Sequence, residues 1–249
     1  MKNTPDKKAL EEKMLEKNRH FYNSLWSEAR LVEPERFNTW PLVNSLLVGR
    51  PRRLEVAPGL RPRLPIAETQ FVDISAPALS ILKKHGGRTL VASISHLPFA
   101  DKSFDLICAL DIIEHVEDDV TAMAELARLA ADDAIMLLST PLHQEYWTPF
   151  DDFVGHRRRY APNQLIAMLT THGFVVEQSA VFGMKPKSSR LVDIGMWFLQ
   201  HRRKRAMWWY NRVMPWTVRF QKELELTPGF INCDQVAEVL LICRRKRSS

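Results

Sequence analysis

The chain has 249 residues, 45% hydrophobic and 26% charged, which suits one α/β domain with an added subdomain and excludes a chain that is disordered throughout. Its three cysteines, Cys108, Cys233 and Cys243, have no C-x-x-C spacing; this argues against a disulfide framework or a zinc knuckle and suits a reducing compartment such as the cytoplasm. The net charge of +6 is uneven: residues 1–180 hold 21 Lys/Arg against 24 Asp/Glu, whereas residues 181–249 hold 14 against 5.

Met1 to Glu16 is strongly charged and contains no apolar stretch of signal-peptide length. No run approaches the roughly 18 apolar residues needed to cross a bilayer. The expected location is therefore the cytoplasm, with peripheral contact at the inner membrane surface as an option. Residues 5–31 place Leu10, Met14, Leu15, Phe21, Leu25 and Trp26 among charges at helical spacing, and a second helix is expected after Pro34. Residues 1–50 are read as an N-terminal helical cap beside the core.

From there strands alternate with helices. Arg53–Ala57, Gln70–Ile74, Arg88–Ala92, Phe104–Leu110 and Ala134–Thr140 read as strands. Phe104–Leu110 is the continuous apolar run expected of a buried parallel strand. Ala76–His85, Asp119–Ala130 and Pro162–His172 read as helices, the last stopped by Gly173. Phe174–Phe182 and Val236–Cys243 are strand-like, and Leu142–Tyr160 is a polar, aromatic loop long enough to suspect a functional role. The alternation predicts right-handed crossovers and a doubly wound, mostly parallel sheet, here expected to have seven strands. Residues 51–182 and 236–249 form the expected core, and 183–235 a helical insertion before the last strand.

In such a sheet ligands lie at the carboxyl ends of the strands, where strand order reverses. The first strand runs into Glu55-Val-Ala-Pro-Gly59-Leu-Arg-Pro-Arg63, an acid at a strand tip followed by a tight loop. Eighteen residues after Glu55, the second strand ends at Asp73, placed to accept hydrogen bonds from ribose hydroxyls. The same carboxylate could instead cap the helix that begins at Ala76.

The string Ser93-Ile-Ser-His-Leu-Pro-Phe-Ala-Asp-Lys-Ser-Phe-Asp-Leu-Ile107 is similar to a segment of the class I S-adenosylmethionine-dependent methyltransferases. So is Leu110-Asp-Ile-Ile-Glu-His115-Val-Glu-Asp118, and so is Gly155-His-Arg-Arg-Arg-Tyr160-Ala-Pro-Asn-Gln-Leu165, closing with His172-Gly-Phe174. The resemblance covers residues 52–182 and the last strand, and implies a Rossmann-like methyltransferase fold with S-adenosylmethionine as cofactor. It assigns Glu55, Ala57 and Gly59 to the methionine part of the cofactor, Asp73 to the ribose, Ser93 and Ile94 to the adenine edge, and Asp111 to the mouth beside the sulfonium. Two positions depart from the family pattern. Its glycine loop has Ala57 and Arg61 where glycines are usual, and Ser93 stands where an acid is usual.

Methyl transfer is an in-line displacement, so the protein mainly positions the acceptor, and a base is needed only for some acceptors. His115 is the first candidate for that base. His156, Arg158 and Tyr160 are candidates for holding an acidic group on the acceptor; Asp151 and Asp152 just upstream offer structural ion pairing instead. Glu114, Glu117, Asp118 and Asp119 are read as favourable charges at a helix N-terminus. No metal site is expected.

Lys185–Lys222 holds ten Lys/Arg against one acid, Asp193, together with Trp197, Trp208, Trp209 and Trp216. Three readings stand in order: an amphipathic lid over a small-molecule or lipid-like acceptor, with its tryptophans packed on the sheet; contact with an anionic membrane; and, third, nucleic acid. For the whole chain the expectation is methyl transfer to a small or lipid-linked acceptor. The alternative is a catalytically impaired binding or scaffold protein with a degenerate glycine loop. A nicotinamide-dependent oxidoreductase is disfavoured, since the G-x-G-x-x-G signature is absent.

Overall fold

A computed structural model describes residues 7–183 and 189–247. The chain opens with a long helix, α1 (Lys7–Glu28), then a 3-10 turn at Pro34–Arg36 and a short helix, α2 (Trp40–Leu46). Pro34 thus starts the turn rather than the helix expected after it.

The core follows as β1 (Arg53–Val56), β2 (Thr69–Asp73), α3 (Ala76–Lys84), β3 (Arg88–Val91), β4 (Phe104–Leu110), α4 (Asp119–Leu129) and β5 (Ala130–Pro141). Next come α5 (Pro149–Val154), α6 (Pro162–Thr171) and β6 (Phe174–Val181). The insertion comprises α7 (Ser189–His201), α8 (Arg203–Thr217) and a two-residue strand, β7 (Thr227–Pro228), before β8 (Glu238–Arg245).

The strands form one sheet in the order β3-β2-β1-β4-β5-β8-β6-β7. β1 to β5 pair in parallel, while β8 runs antiparallel between β5 and β6. The doubly wound α/β architecture is as expected, but the sheet has eight strands rather than seven. The eighth is β7, whose single turn of pairing against Gln178 and Ser179 carries no apolar periodicity. β5 also starts earlier than its apolar run, at Ala130, because the chain passes through Asp133 in a left-handed conformation (φ 62°) and resumes pairing at Ile135.

Alternate residues of the strands serve the two faces, as pleating requires. Ile107 and Ala109 of β4 join Leu54, Val56, Met136 and Leu138 in one core under α4 and α6. Leu106 and Cys108 join Ile135, Leu137, Leu240 and Ile242 on the other face, which α2 covers with Leu42 and Val43. Each fully buried aliphatic side chain contributes about 1.5–3 kcal/mol, so this two-sided core anchors the strand tips firmly. Strand order reverses between β1 and β4, which opens a crevice at their carboxyl ends.

Candidate functional site

A cavity of about 870 Å³ lies at that crevice. Its floor is made by the tips of β1, β2, β3 and β4, its side wall by the segment around α5, and its cover by α1 and α7. The volume is near the upper end for small-molecule sites, which run to roughly 1,000 Å³.

The loop after β1 keeps the shape of a glycine turn without most of the glycines. Ala57 (φ 55°) and Gly59 (φ 54°) are both left-handed, and alanine accepts that conformation with only a methyl group to place. Gly59 cannot be replaced in the same way, because a Cβ there would sit 2.3 Å from the Trp26 ring of α1. Glu55 is buried, and its carboxylate accepts from the backbone N–H groups of Arg63 (2.8 Å) and Leu64 (2.9 Å). Burial pushes its carboxyl up to about 7 against these bonds. Glu55 therefore borders the cavity while clamping the far end of the loop.

Asp73 also borders the cavity. Its Oδ2 accepts from Gly59 N–H (3.0 Å) and its Oδ1 from Ser75 N–H (2.8 Å), so it holds the β1 loop against the β2 tip. Burial lifts its carboxyl to about 6, with the N–H bonds pulling the other way. Ser93 and Ile94, just past β3, complete this end of the cavity, with Ile94 buried in the core. Gly59 itself stands behind the cavity wall formed by Ala57, Pro58 and Arg61.

Arg61 lines the cavity. Its guanidinium stacks over Tyr210 of α8 (4.9 Å to the ring centre) and Trp26 (5.8 Å), and its Nε donates to the Tyr210 hydroxyl. The large cation in the glycine loop thus lies in the cavity wall and ties that loop to the helical cover.

At the β4 tip Asp111 is again left-handed (φ 50°), a conformation uncommon outside glycine and worth attention at a site. Ser139 of β5 fixes it: its hydroxyl donates to Asp111 Oδ1 (2.5 Å), and Asp111 N–H donates to the Ser139 carbonyl (3.1 Å). A 3-10 turn at Ile113–His115 follows. It carries Glu114 inward, fully buried, so Glu114 is not one of the charges at the α4 N-terminus. Asp118 fills that place, its Oδ1 accepting from Thr121 N–H (3.0 Å). Burial and the neighbouring Asp111 push the Glu114 carboxyl well above its ordinary range. His115 lines the cavity, and burial, helped by His156, lowers it to about 3. An imidazole held that low is uncharged at neutral pH.

The segment after β5 explains the arginine run. Asp151 of α5 is buried and accepts from Thr148, His156 Nδ1 (2.7 Å), Arg159 Nε (3.1 Å) and Arg159 Nη2 (2.9 Å). Burial would raise its carboxyl, but these bonds outweigh it and hold Asp151 far below the usual carboxylate range. Arg157 pairs with Glu117 (2.6 Å) and Arg158 with Asp119 (2.7 Å), while the Tyr160 hydroxyl donates to Asp119 Oδ2 (2.7 Å). Of the three residues suggested for acceptor binding, His156 borders the cavity, but Arg158 and Tyr160 lie outside it and stitch the segment to α4.

The cover is where sequence reasoning missed most. Tyr22, Leu25 and Trp26 of α1 line the cavity. Tyr22 packs edge-on to His115 (5.9 Å) and donates its hydroxyl to the Val154 carbonyl (3.3 Å). The signal available was the aromatic cluster Phe21, Tyr22 and Trp26 in an otherwise charged helix. From α7, Leu191, Met196 and Leu199 face inward. α8 is tied to the end of α1 by Asn211, whose amide donates to the Glu28 carbonyl (2.8 Å). The insertion's tryptophans do not pack on the sheet: Trp197, Trp208, Trp209 and Trp216 are 48–61% exposed. Lys185 and Lys187 of the basic insertion lie outside the described residues.

The family profile described as a methyltransferase domain matches residues 56–138, the stretch from the β1 tip to β5. A relative from Mycobacterium tuberculosis, named "probable S-adenosylmethionine-dependent methyltransferase", is 28% identical over 110 residues, covering 42% of this chain and 39% of its own length. The chain therefore spans about two-fifths of that relative. Among solved structures, an S-adenosylmethionine-dependent methyltransferase of Thermotoga maritima superposes with a TM-score of 0.57 at 17% identity, covering 84% of this chain and 88% of its own. The cyclase SpnF superposes with a TM-score of 0.53, also at 17% identity, over 84% of this chain and 80% of its own. Likeness at this level shows the shared fold alone, and that fold carries more than one chemistry. The profile match, the sequence relative and the fold coincide on the strand tips that border the cavity, and in that stretch the chain is similar to class I S-adenosylmethionine-dependent methyltransferases.

Proposed function

We propose that this protein binds S-adenosylmethionine at the tips of β1 to β4 and transfers its methyl group to an acceptor with an apolar body, held between α1, α5 and α7. The observation that carries the reading is Asp73. It is a buried carboxylate that borders the cavity at the switch point while fixing, through Gly59 N–H, the loop that presents Ala57 to the cavity.

The residues present fit the cofactor. Asp73 would take the ribose hydroxyls, Ser93 and Ile94 the adenine edge, and Ala57 and Asp111 the amino-acid end and sulfonium. When bound, S-adenosylmethionine supplies an electrophilic methyl group. The protein's part is to orient both molecules and to exclude water. Phe21, Leu25, Phe150, Phe153, Met196 and Leu199 give the outer cavity an apolar wall, which supports an apolar or lipid-like acceptor over a compact polar one. The exposed tryptophans beside Arg202, Lys204 and Arg205 support an anionic membrane surface as the place where such an acceptor is met.

Calorimetry with S-adenosylhomocysteine tests the reading. One site per chain in the wild type, lost in Asp73→Ala, is the expected result. No binding by a folded wild type would leave the binding or scaffold alternative standing and remove the enzymatic one. Stronger association with RNA than with anionic vesicles would replace the membrane by nucleic acid.

A further inference from the structure

Three side chains meet in the cavity wall in a way the proposed methyl transfer does not require. Glu114 and His115 come from the 3-10 turn after β4; His156 comes from beyond α5, where Gly155 (φ 86°) turns the chain back toward them. One ligand atom from each lies within 4.8 Å of the others. Glu114 Oε1 and His115 Nδ1 are buried and have no hydrogen-bond partner, and His156 Nε2 is 3.8 Å from that same Glu114 oxygen. A buried polar atom without a partner is costly, and two that converge call for a common partner.

The other side of each group is held. His156 Nδ1 bonds Asp151 Oδ1 (2.7 Å), which leaves the Nε2 lone pair aimed at the cluster. The Gly155 backbone also acts on the His115 ring, whose Nδ1 is left without a partner. Glu114 Oε2 accepts a long bond from the Thr140 hydroxyl (3.4 Å). Asp151 is in turn fixed by Arg159 and Thr148. Imidazoles that give one N–H to a carboxylate or carbonyl and keep the other nitrogen free are the usual arrangement around a bound metal. An ordinary His–Glu ion pair would engage one imidazole and leave His115 Nδ1 without a role.

We propose that Glu114, His115 and His156 form a binding site for one divalent transition-metal ion, with Asp151, Gly155 and Thr140 as its supporting shell. Two nitrogens and one carboxylate oxygen suit zinc-like or iron(II)-like ions better than magnesium or calcium. Three protein ligands leave positions open, and because all three residues border the cavity those positions face the space where an acceptor would sit. A hydroxyl, amine or carboxylate of the acceptor would complete the coordination sphere. This departs from the expectation, drawn from cysteine spacing, that the chain has no metal ligands.

The site is tested without reference to methyl transfer. The untagged full chain is stripped with chelator, desalted, and titrated with Zn²⁺ by calorimetry and with Co²⁺ by visible absorption. The expected result is one equivalent bound, with cobalt bands of a low-coordinate nitrogen and oxygen site. Glu114→Gln keeps the shape of the side chain, and with His156→Ala it should weaken binding by more than about 100-fold. Asp151→Asn, if it folds, should weaken it by about 10- to 100-fold while retaining the cobalt spectrum. Circular dichroism confirms that each variant is folded. Less than stoichiometric uptake by the wild type, or uptake unchanged in both Glu114→Gln and His156→Ala, overturns the proposal and leaves the cluster a His156–Glu114 ion pair. S-adenosylhomocysteine binding, measured on the stripped protein, reports separately on the cofactor.

Discussion

The floor and the cover of the cavity are built on opposite principles. The floor is made of strand tips whose polar groups are tied down: Asp73 by Gly59 and Ser75, Asp111 by Ser139, Glu55 by Arg63 and Leu64. The cover is two helical layers joined to it by a few contacts, notably Arg61 on Tyr210 and Trp26, with aromatic side chains left facing solvent. A rigid floor suits a ligand that is always the same, and a loosely attached, sticky cover suits one that must come from elsewhere.

The largest expected effect falls on the floor. Asp73→Ala should weaken S-adenosylhomocysteine binding at least about 100-fold, since a charged acceptor contributes about 1.5–3 kcal/mol per hydrogen bond. A change under threefold by calorimetry would mean the ribose is held elsewhere. Glu55→Gln probes the same wall through pH. The folded carboxyl titrates at about 7, against 4.5 ordinarily, so charging it opposes folding. Relative to Glu55→Gln, the wild type should lose up to roughly 3 kcal/mol as pH rises from about 4.5 to 7, and nothing more above that. Melting curves of both proteins at four pH values would show parallel profiles if this burial has no such effect.

The cover should respond differently. Lys204→Ser with Arg205→Ser should cost about 2 kcal/mol of binding to anionic vesicles and leave cofactor affinity unchanged. Vesicle sedimentation that does not distinguish the variant from the wild type would remove the membrane from the account. The smallest effect belongs to the tie between the halves. Arg61→Gly loses stacking of about 0.5–1 kcal/mol per ring and should alter cofactor affinity by less than about fivefold, while proteolysis within α8 quickens. A large gain in affinity would instead make Arg61 an obstruction to the cofactor.

The floor was legible in the sequence because local rules write it. Apolar runs such as Phe104–Leu110 fix the strands, and an acid at a strand end, Asp73, points to the crevice that the structure opens at the strand tips. The cover was not, because its meaning is set by partners far along the chain. Nothing near Arg61 announces Tyr210, and nothing near Glu114 announces His156. The arginines at 157–159 were half legible: Asp151, the partner of Arg159, stands just upstream as the structural alternative, whereas Glu117 and Asp119 are met only once the segment folds back. β7 escaped notice because two residues are too few to show a period.

The Trp26 ring that leaves no room for a side chain at Gly59 has a kinetic corollary. The opening helix is seated on the loop that borders the cavity and covers part of it, so a motion lifting that helix would widen the way out for a spent molecule. Turnover would then be paced by a gate rather than by bond making, as in other enzymes whose closure traps reactants. Stopped-flow measurement of product escape against single-turnover chemistry would tell the two apart.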